Sequence, residues 1–151
     1  MVQEVEVVLA PVDGSDESRR AAEYAVTVAA EYDATVHAVY VLDEETVRAV
    51  ETDRIDETEV TEESDAFLDR IGALADDADV PLRTSTAYGF STRSMRRHPG
   101  SVVLDAADQE DADFLVLPHE SVRDPHGRAG GVLERAAEYV LLYASQPVLS
   151  V

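Results

Sequence analysis

The sequence predicts an α/β domain built on one open, five-stranded parallel sheet with helices on both faces. Three observations predict it. Five short apolar runs (Val5–Val12, Thr35–Leu42, Leu82–Ala87, Phe114–Leu117 and Pro147–Val151) alternate with four stretches of helical periodicity, the order expected of a parallel sheet joined by right-handed crossovers. The first and fourth runs are apolar nearly throughout, as strands covered on both faces must be. The first run also stops abruptly at Asp13-Gly14-Ser15-Asp16, a strand-to-helix turn. The 151 residues suit a single core, and residues 1–151 are expected to form one domain with no internal repeat.

Each element has its own signal. After the first strand, Ser15 or Asp16 can cap a helix by accepting a backbone N–H, and Glu17 suits the positive end of its dipole. Ser18, Ala21, Ala22, Ala25, Val28, Ala29 and Tyr32 then share one helical face. The second strand leads into residues 43–79, which hold 15 acidic and 3 basic side chains. A stripe of Val60, Ser64, Phe67, Ile71, Leu74 and Ala78 marks a long helix from about Thr58, after a connection containing Val47, Val50 and Ile55. The acidic side chains are then a solvated helix face, not a tail. Pro81 opens the third strand and Tyr88-Gly89 closes it. A polar segment with Arg93, Arg96, Arg97 and His98 is expected to be a surface loop. Ser101–Asp111 is expected to be a short helix burying Val102, Val103, Ala106 and Ala107. Pro118–Gly131 is a loop. The helix Val132–Ala144 turns Leu133, Ala136, Ala137, Val140, Leu141 and Ala144 inward. A proline is tolerated where the last strand begins.

Charge and absences exclude several functions. Acidic residues number 32 and basic ones 12, for a formal net charge of -20. Nucleic acid and anionic membranes are repelled. Every basic residue is arginine, a composition resembling proteins of salt-loving organisms. Salt screens carboxylate repulsion, with a Debye length of roughly 3 Å at 1 M, so the melting point is expected to rise with salt. With no cysteine there is no disulfide, thiolate nucleophile or cysteine-bearing zinc site. With no lysine there is no complete P-loop and no Schiff base. The absence of a signal peptide and of an apolar run near the roughly 18 residues of a membrane span leads to an expected cytoplasmic location.

In open parallel sheets, ligands sit beyond the C-terminal strand ends. Two loops qualify, Asp13–Asp16 and Pro118–Gly131, and both lead into helix N-termini that favour anions. In the second, Gly127-Arg128-Ala129-Gly130-Gly131 permits close backbone approach to a phosphate, with Arg128 to pair it, although such clusters also serve as ordinary loop punctuation. Asp13 has a bland role beside the sharp one, because an Asp-Gly turn before a helix needs its carboxylate for backbone hydrogen bonds. His119 and His126 flank this region without the spacing of a known metal site. Ser91, His98 and Asp105 lack a nucleophile-elbow sequence. No catalytic or metal-binding residue is assigned.

Three segments in order resemble the universal stress protein family. They are Val7-Val8-Leu9-Ala10-Pro11-Val12-Asp13-Gly14-Ser15-Asp16-Glu17-Ser18, then Ala112-Asp113-Phe114-Leu115-Val116-Leu117, then Ala136-Ala137-Glu138-Tyr139-Val140 with Pro147-Val148-Leu149-Ser150-Val151. The resemblance implies the strand order 3-2-1-4-5 of the adenine nucleotide alpha hydrolase-like fold, a stress-response or regulatory role and frequent homodimers. It also implies members that bind ATP and members that do not. In binders, adenine is held by the aspartate after strand one, here Asp13 following Pro11 and Val12, and by backbone near the end of strand two, here about Val41. Ribose and phosphates are held by a glycine pattern after strand four, whose counterparts here are Pro118, Gly127, Arg128, Gly130 and Gly131.

That second half departs from the family pattern. Pro118-His119 replaces the first glycine, Asp124 stands three residues before Gly127, and Glu134-Arg135 falls where the family has Gly-Ser. A carboxylate and a bulky arginine at a phosphate-cradling turn repel and obstruct triphosphate, which leaves a degraded pocket for ATP or AMP. Two alternatives stay open: a nucleotide-binding enzyme such as an ATP or AMP hydrolase, and a protein-interaction module with a vestigial pocket. The apolar last strand, Pro147–Val151, is an edge that invites pairing. Antiparallel pairing with a second copy, through Val148, Leu149, Val151 and the neighbouring Tyr139 and Tyr143, is the expected homodimer.

Overall fold

The computed structural model describes residues 4–42, 44–88, 99–119, 133 and 136–151. Its strands are β1 (Val7–Val12), β2 (Thr35–Leu42), β3 (Leu82–Tyr88), β4 (Phe114–Leu117) and β5 (Val148–Ser150). All pair in parallel, in the order β3-β2-β1-β4-β5. The central strand β1 aligns Val7–Val12 with Thr35–Tyr40 of β2 on one side, and Val8 and Leu9 with Phe114 and Leu115 of β4 on the other. β1 begins two residues later than the apolar run. There the backbone N–H groups of Glu6 and Val7 donate to Asp113 Oδ2 at 2.9 and 3.1 Å. The aspartate before β4 thus pins the entry to β1.

Alternate residues of the strands feed two cores. Leu9, Val39, Val41, Leu115 and Leu117 face α4 (Pro99–Gln109) and α5 (Ala136–Tyr143), meeting Val103, Leu133 and Val140. Val8, Ala10, Val36 and Val116 face Ala21, Ala25 and Ala29 of α1 (Asp16–Tyr32) and Ala75 of α3 (Glu57–Asp77). Small side chains let α1 lie close on the sheet. Val26 completes its buried face, whereas Val28 is half-buried and Tyr32 is exposed. α4 and α5 touch at Gly100, where a Cβ would stand 2.6 Å from Tyr139 Cβ.

Further expectations change in the helices. The connection before α3 holds a further helix, α2 (Glu44–Glu51), which buries Val47 and Ala49. In α3 the inward residue is Ala75, with Leu74 half-buried and Ala78 exposed. In α5 Leu141 is 54% exposed, beside Leu142 and Tyr143. The run Tyr139–Tyr143 is apolar on every face, so its periodicity does not say which face turns inward.

Four helices end alike. Asp33, Asp53, Asp79 and Asp111 adopt left-handed φ of 51–57° after α1, α2, α3 and α4. The next residue donates its N–H five positions back, to Ala29, Ala49, Ala75 and Ala107 at 2.8–2.9 Å. This 6→1 bond is the Schellman stop, which glycine or asparagine usually occupies.

Candidate functional site

The strand order turns back between β1 and β4. The α1 connection leads from β1 to β2, while β4 lies on the other side of β1. The crevice beyond the C-terminal ends of β1 and β4 is therefore where such a sheet accepts a ligand, and the residues after β1 form one wall of it.

Asp13 organises that wall. Its Oδ1 accepts from Ser15 N at 3.0 Å and from Ser15 Oγ at 2.5 Å. Ser15 is the N-cap of α1, accepting from Ser18 N at 3.1 Å. Ser18 Oγ donates to Ser15 O at 3.0 Å and accepts from Asp13 N at 3.2 Å. The turn is thus closed by its own side chains, as the bland role of Asp13 anticipates. The other oxygen does something the sequence did not reveal. Oδ2 accepts from Leu133 N at 3.2 Å, across 120 positions of chain. Leu133 is fully buried just before α5. Asp13 therefore clasps the segment after β4 to the turn after β1, across the switch point.

Gly14 sits at φ +85, a conformation that disfavours side chains. A Cβ there would meet Tyr40 Oη at 2.7 Å. Tyr40 closes the turn from β2 and packs edge-on against Phe67, with ring centroids 5.9 Å apart. Neither Tyr40 nor Leu133 was a sequence candidate. Tyr40 carried a readable signal, being an aromatic at the end of β2 beside the expected backbone contact.

The other sequence candidates are placed as follows. Pro11, Val12 and Val41 are buried; the side chain of Val41 fills the core beneath α4 and α5, and that of Val12 packs with Ala22, Phe67 and Ile71. Only their backbone is left for a ligand. Pro118 is buried at the end of β4. Gly127, Arg128, Gly130 and Gly131 lie outside the described residues, as do Arg93–His98, Asp124, His126, Glu134 and Arg135. His119 turns toward the sheet edge: its N donates to Val151 O, and its Nδ1 lies 3.1 Å from Ser150 Oγ. Among the described residues no group of three or more metal-ligating side chains forms, and no helix is long and apolar enough to cross a membrane.

Comparison with known proteins gives the same fold and a family. The model described as the universal stress protein family matches residues 4–151. A universal stress protein of Methanocaldococcus jannaschii is 27% identical over 147 residues, covering 95% of this chain and 80% of its own length. The solved structure of universal stress protein UspA from Lactobacillus plantarum is 26% identical, with a TM-score of 0.73 and 99% of each chain covered. A universal stress protein from Archaeoglobus fulgidus in complex with dAMP shares the fold at 20% identity, with a TM-score of 0.62 and 99% and 98% of the two chains covered.

Proposed function

Because the chain belongs to the universal stress protein family, we propose that it is a stress-response protein that takes an adenine nucleotide in the crevice beyond β1 and β4. The clasp from Asp13 Oδ2 to Leu133 N carries this reading. It ties the turn after β1 to Leu133, at the entry to the last helix, and a relative of the same fold holds dAMP. Adenosine is gripped by backbone at Val12, Asp13 and Val41, since the side chains of Val12 and Val41 are committed to the core. On the phosphate side, the family pattern assigns the ligand to Gly127, Arg128, Gly130 and Gly131. Glu134 and Arg135 stand where the family pattern has small residues and disfavour a long phosphate chain, so AMP is preferred to ATP.

Mass spectrometry of the protein as purified, followed by calorimetry with AMP and ATP in molar salt, tests this. Bound adenine nucleotide, or heat with AMP exceeding that with ATP, is expected. No binding of either overturns the proposal, and steady turnover of either replaces it with an enzyme.

The proposal includes a homodimer through the last strand. β5 pairs with β4 and has no strand on its outer side among the described residues. Leu141, Leu142 and Tyr143 stand 54%, 71% and 66% exposed on the adjoining α5. Large apolar side chains grouped beside an open edge are what a second copy covers. Light scattering on the eluting protein should give twice the chain mass, and a monomer at micromolar concentration rules this out.

A further inference from the structure

The α4 side of the sheet carries a second constellation, separate from the Asp13 turn. His37 lies on β2 two residues before Val39 and so faces the same core. Its side chain is 6% exposed. Ring Nε2 is 2.8 Å from Ser85 Oγ on the edge strand β3. Ring Nδ1 is 3.4 Å from Glu110 Oε2, in the turn after α4. Nδ1 has no hydrogen-bond partner within geometric limits, and the Glu110 carboxylate stands beside it as an ion-pair contact. Burial holds the ring's pKa below 6.5, Glu110 opposes this, and Arg83 on β3 reinforces it.

We propose that Ser85 is an activated nucleophile, with His37 as its base and Glu110 as the carboxylate that orients the ring, and that it accepts an acyl group from an activated carboxylic ester. The assignment of nitrogens is the one this chemistry needs. With the proton on Nδ1, the nitrogen on the Glu110 side of the ring, the Nε2 lone pair faces the serine hydroxyl. The ring must be neutral to act, and burial keeps it so. Ser85 is half-buried on an edge strand, within reach of a reagent from solvent. Arg83 is exposed two residues earlier on the same strand, hence on the same face, and supplies positive charge beside a developing oxyanion.

In the step, Ser85 Oγ bonds to the carbonyl carbon while its proton passes to His37 Nε2. The carbon–oxygen bond to the leaving group breaks, and the leaving oxygen takes that proton from Nε2. Ser85 is left as an ester. Water attacks that ester by the same relay, releasing the carboxylic acid and restoring the hydroxyl.

The test is acylation of the full chain by p-nitrophenyl acetate, with p-nitrophenolate release followed by absorbance and the acetyl group located by peptide mass mapping. One acetyl group on Ser85 is expected, at a rate that rises with pH through a midpoint below 6.5. Ser85→Ala should abolish the label. His37→Gln should slow acylation by ~100-fold or more. Glu110 acts through the ring, so Glu110→Gln should lower the rate and move the midpoint, and Glu110→Asp should recover most of both. Far-ultraviolet dichroism and melts confirm that each variant folds. Where His37→Gln does not fold, the label position and pH profile of the unmodified chain decide. Acetylation spread over several serines, an undiminished rate in Ser85→Ala or His37→Gln, or a wild-type midpoint in Glu110→Gln each overturns the proposal.

Discussion

At the C-terminal end of the sheet, Asp13 accepts three hydrogen bonds and joins two loops with its side chain. At the N-terminal end, Asp33, Asp79 and Asp111 serve through their backbone, each holding a left-handed φ just before β2, β3 and β4. Asp53 does the same between α2 and α3. The carboxylates of these four stops sit against the negative pole of a helix, where negative charge is disfavoured. One residue type therefore works in two ways: through its carboxylate at Asp13, and at Asp113 before β4, and as a substitute for glycine at the four helix stops. A chain of net charge -20 gains from its carboxylates only where donors converge on them.

Breaking the clasp should give the largest effect. Asp13→Ala removes three acceptor contacts and leaves Leu133 N, a buried donor, without its partner. At about 1–1.5 kcal/mol for each such loss, the expected destabilisation is about 3–4 kcal/mol in urea melts. Asp13→Asn keeps one oxygen for Ser15 and presents an NH2 group to Leu133 N, so about half that loss is expected. A stability unchanged by Asp13→Ala would mean that the carboxylate serves only a ligand and that the two loops are held by something else.

Gly14→Ala comes next, at about 2 kcal/mol, from the left-handed backbone and from overpacking against Tyr40. Tyr40→Phe removes the oxygen that a new Cβ would strike at 2.7 Å. In the double variant only the backbone share of the Gly14→Ala loss should persist, and strict additivity would show that the contact with Tyr40 is unimportant.

The sequence made this end of the molecule more legible than the other. Strands β1 and β4 are covered on both faces and read as unbroken apolar runs. The turn after β1 carries its own residues for the turn and the cap. The clasp stayed hidden because its second member is a backbone N–H at Leu133, which no side-chain pattern marks. α2 stayed hidden because a helix of eight residues rich in glutamate has, among its described side chains, only Val47 and Ala49 buried. The helix stops stayed hidden because glycine is the usual marker of a Schellman stop, and aspartate in a chain with 32 acidic residues is indistinguishable from surface charge. His37 was readable in principle, as the one ionisable residue at an inward position of an apolar strand.

Changing the helix stops tests the other side of the comparison, with smaller effects of opposite sign. Asp79→Asn removes only the charge at the end of α3, and a gain of about 0.3–0.5 kcal/mol is expected in dilute buffer. That gain should vanish in molar salt, where screening is nearly complete. Asp79→Gly also relieves the left-handed backbone, so part of its gain, about 0.5 kcal/mol after the greater flexibility of the unfolded chain is offset, should survive the salt. The same pair of changes at Asp33 should behave alike. Wild-type melting temperature should rise with salt in the same series. A salt-independent gain from Asp79→Asn would show that the carboxylate interferes by geometry and not by charge.

The smallest effect belongs to the buried ring between the two ends. Burial first, then Arg83, lower the pKa of His37 from 6.5, with Glu110 opposing. The unfolded chain therefore binds the proton at a higher pH than the native one. Stability is fully present only well above 6.5 and is lost as pH falls through 6.5 toward the lower native value. Even a strongly lowered pKa confines the loss between pH 7.5 and 6.5 to about 0.4 kcal/mol, an amount best measured as a difference between wild type and His37→Gln. The variant should be flat over this interval where the wild type declines. Nuclear magnetic resonance titration of the ring should place its midpoint below 6.5, and Glu110→Gln should lower that midpoint further by removing the one group that favours the proton. A midpoint that rises in Glu110→Gln would show that Glu110 acts on the ring by excluding water and not by its charge. Glu110 would then depart from the rule set by Asp13, that a carboxylate is worth what its nearest donor makes of it.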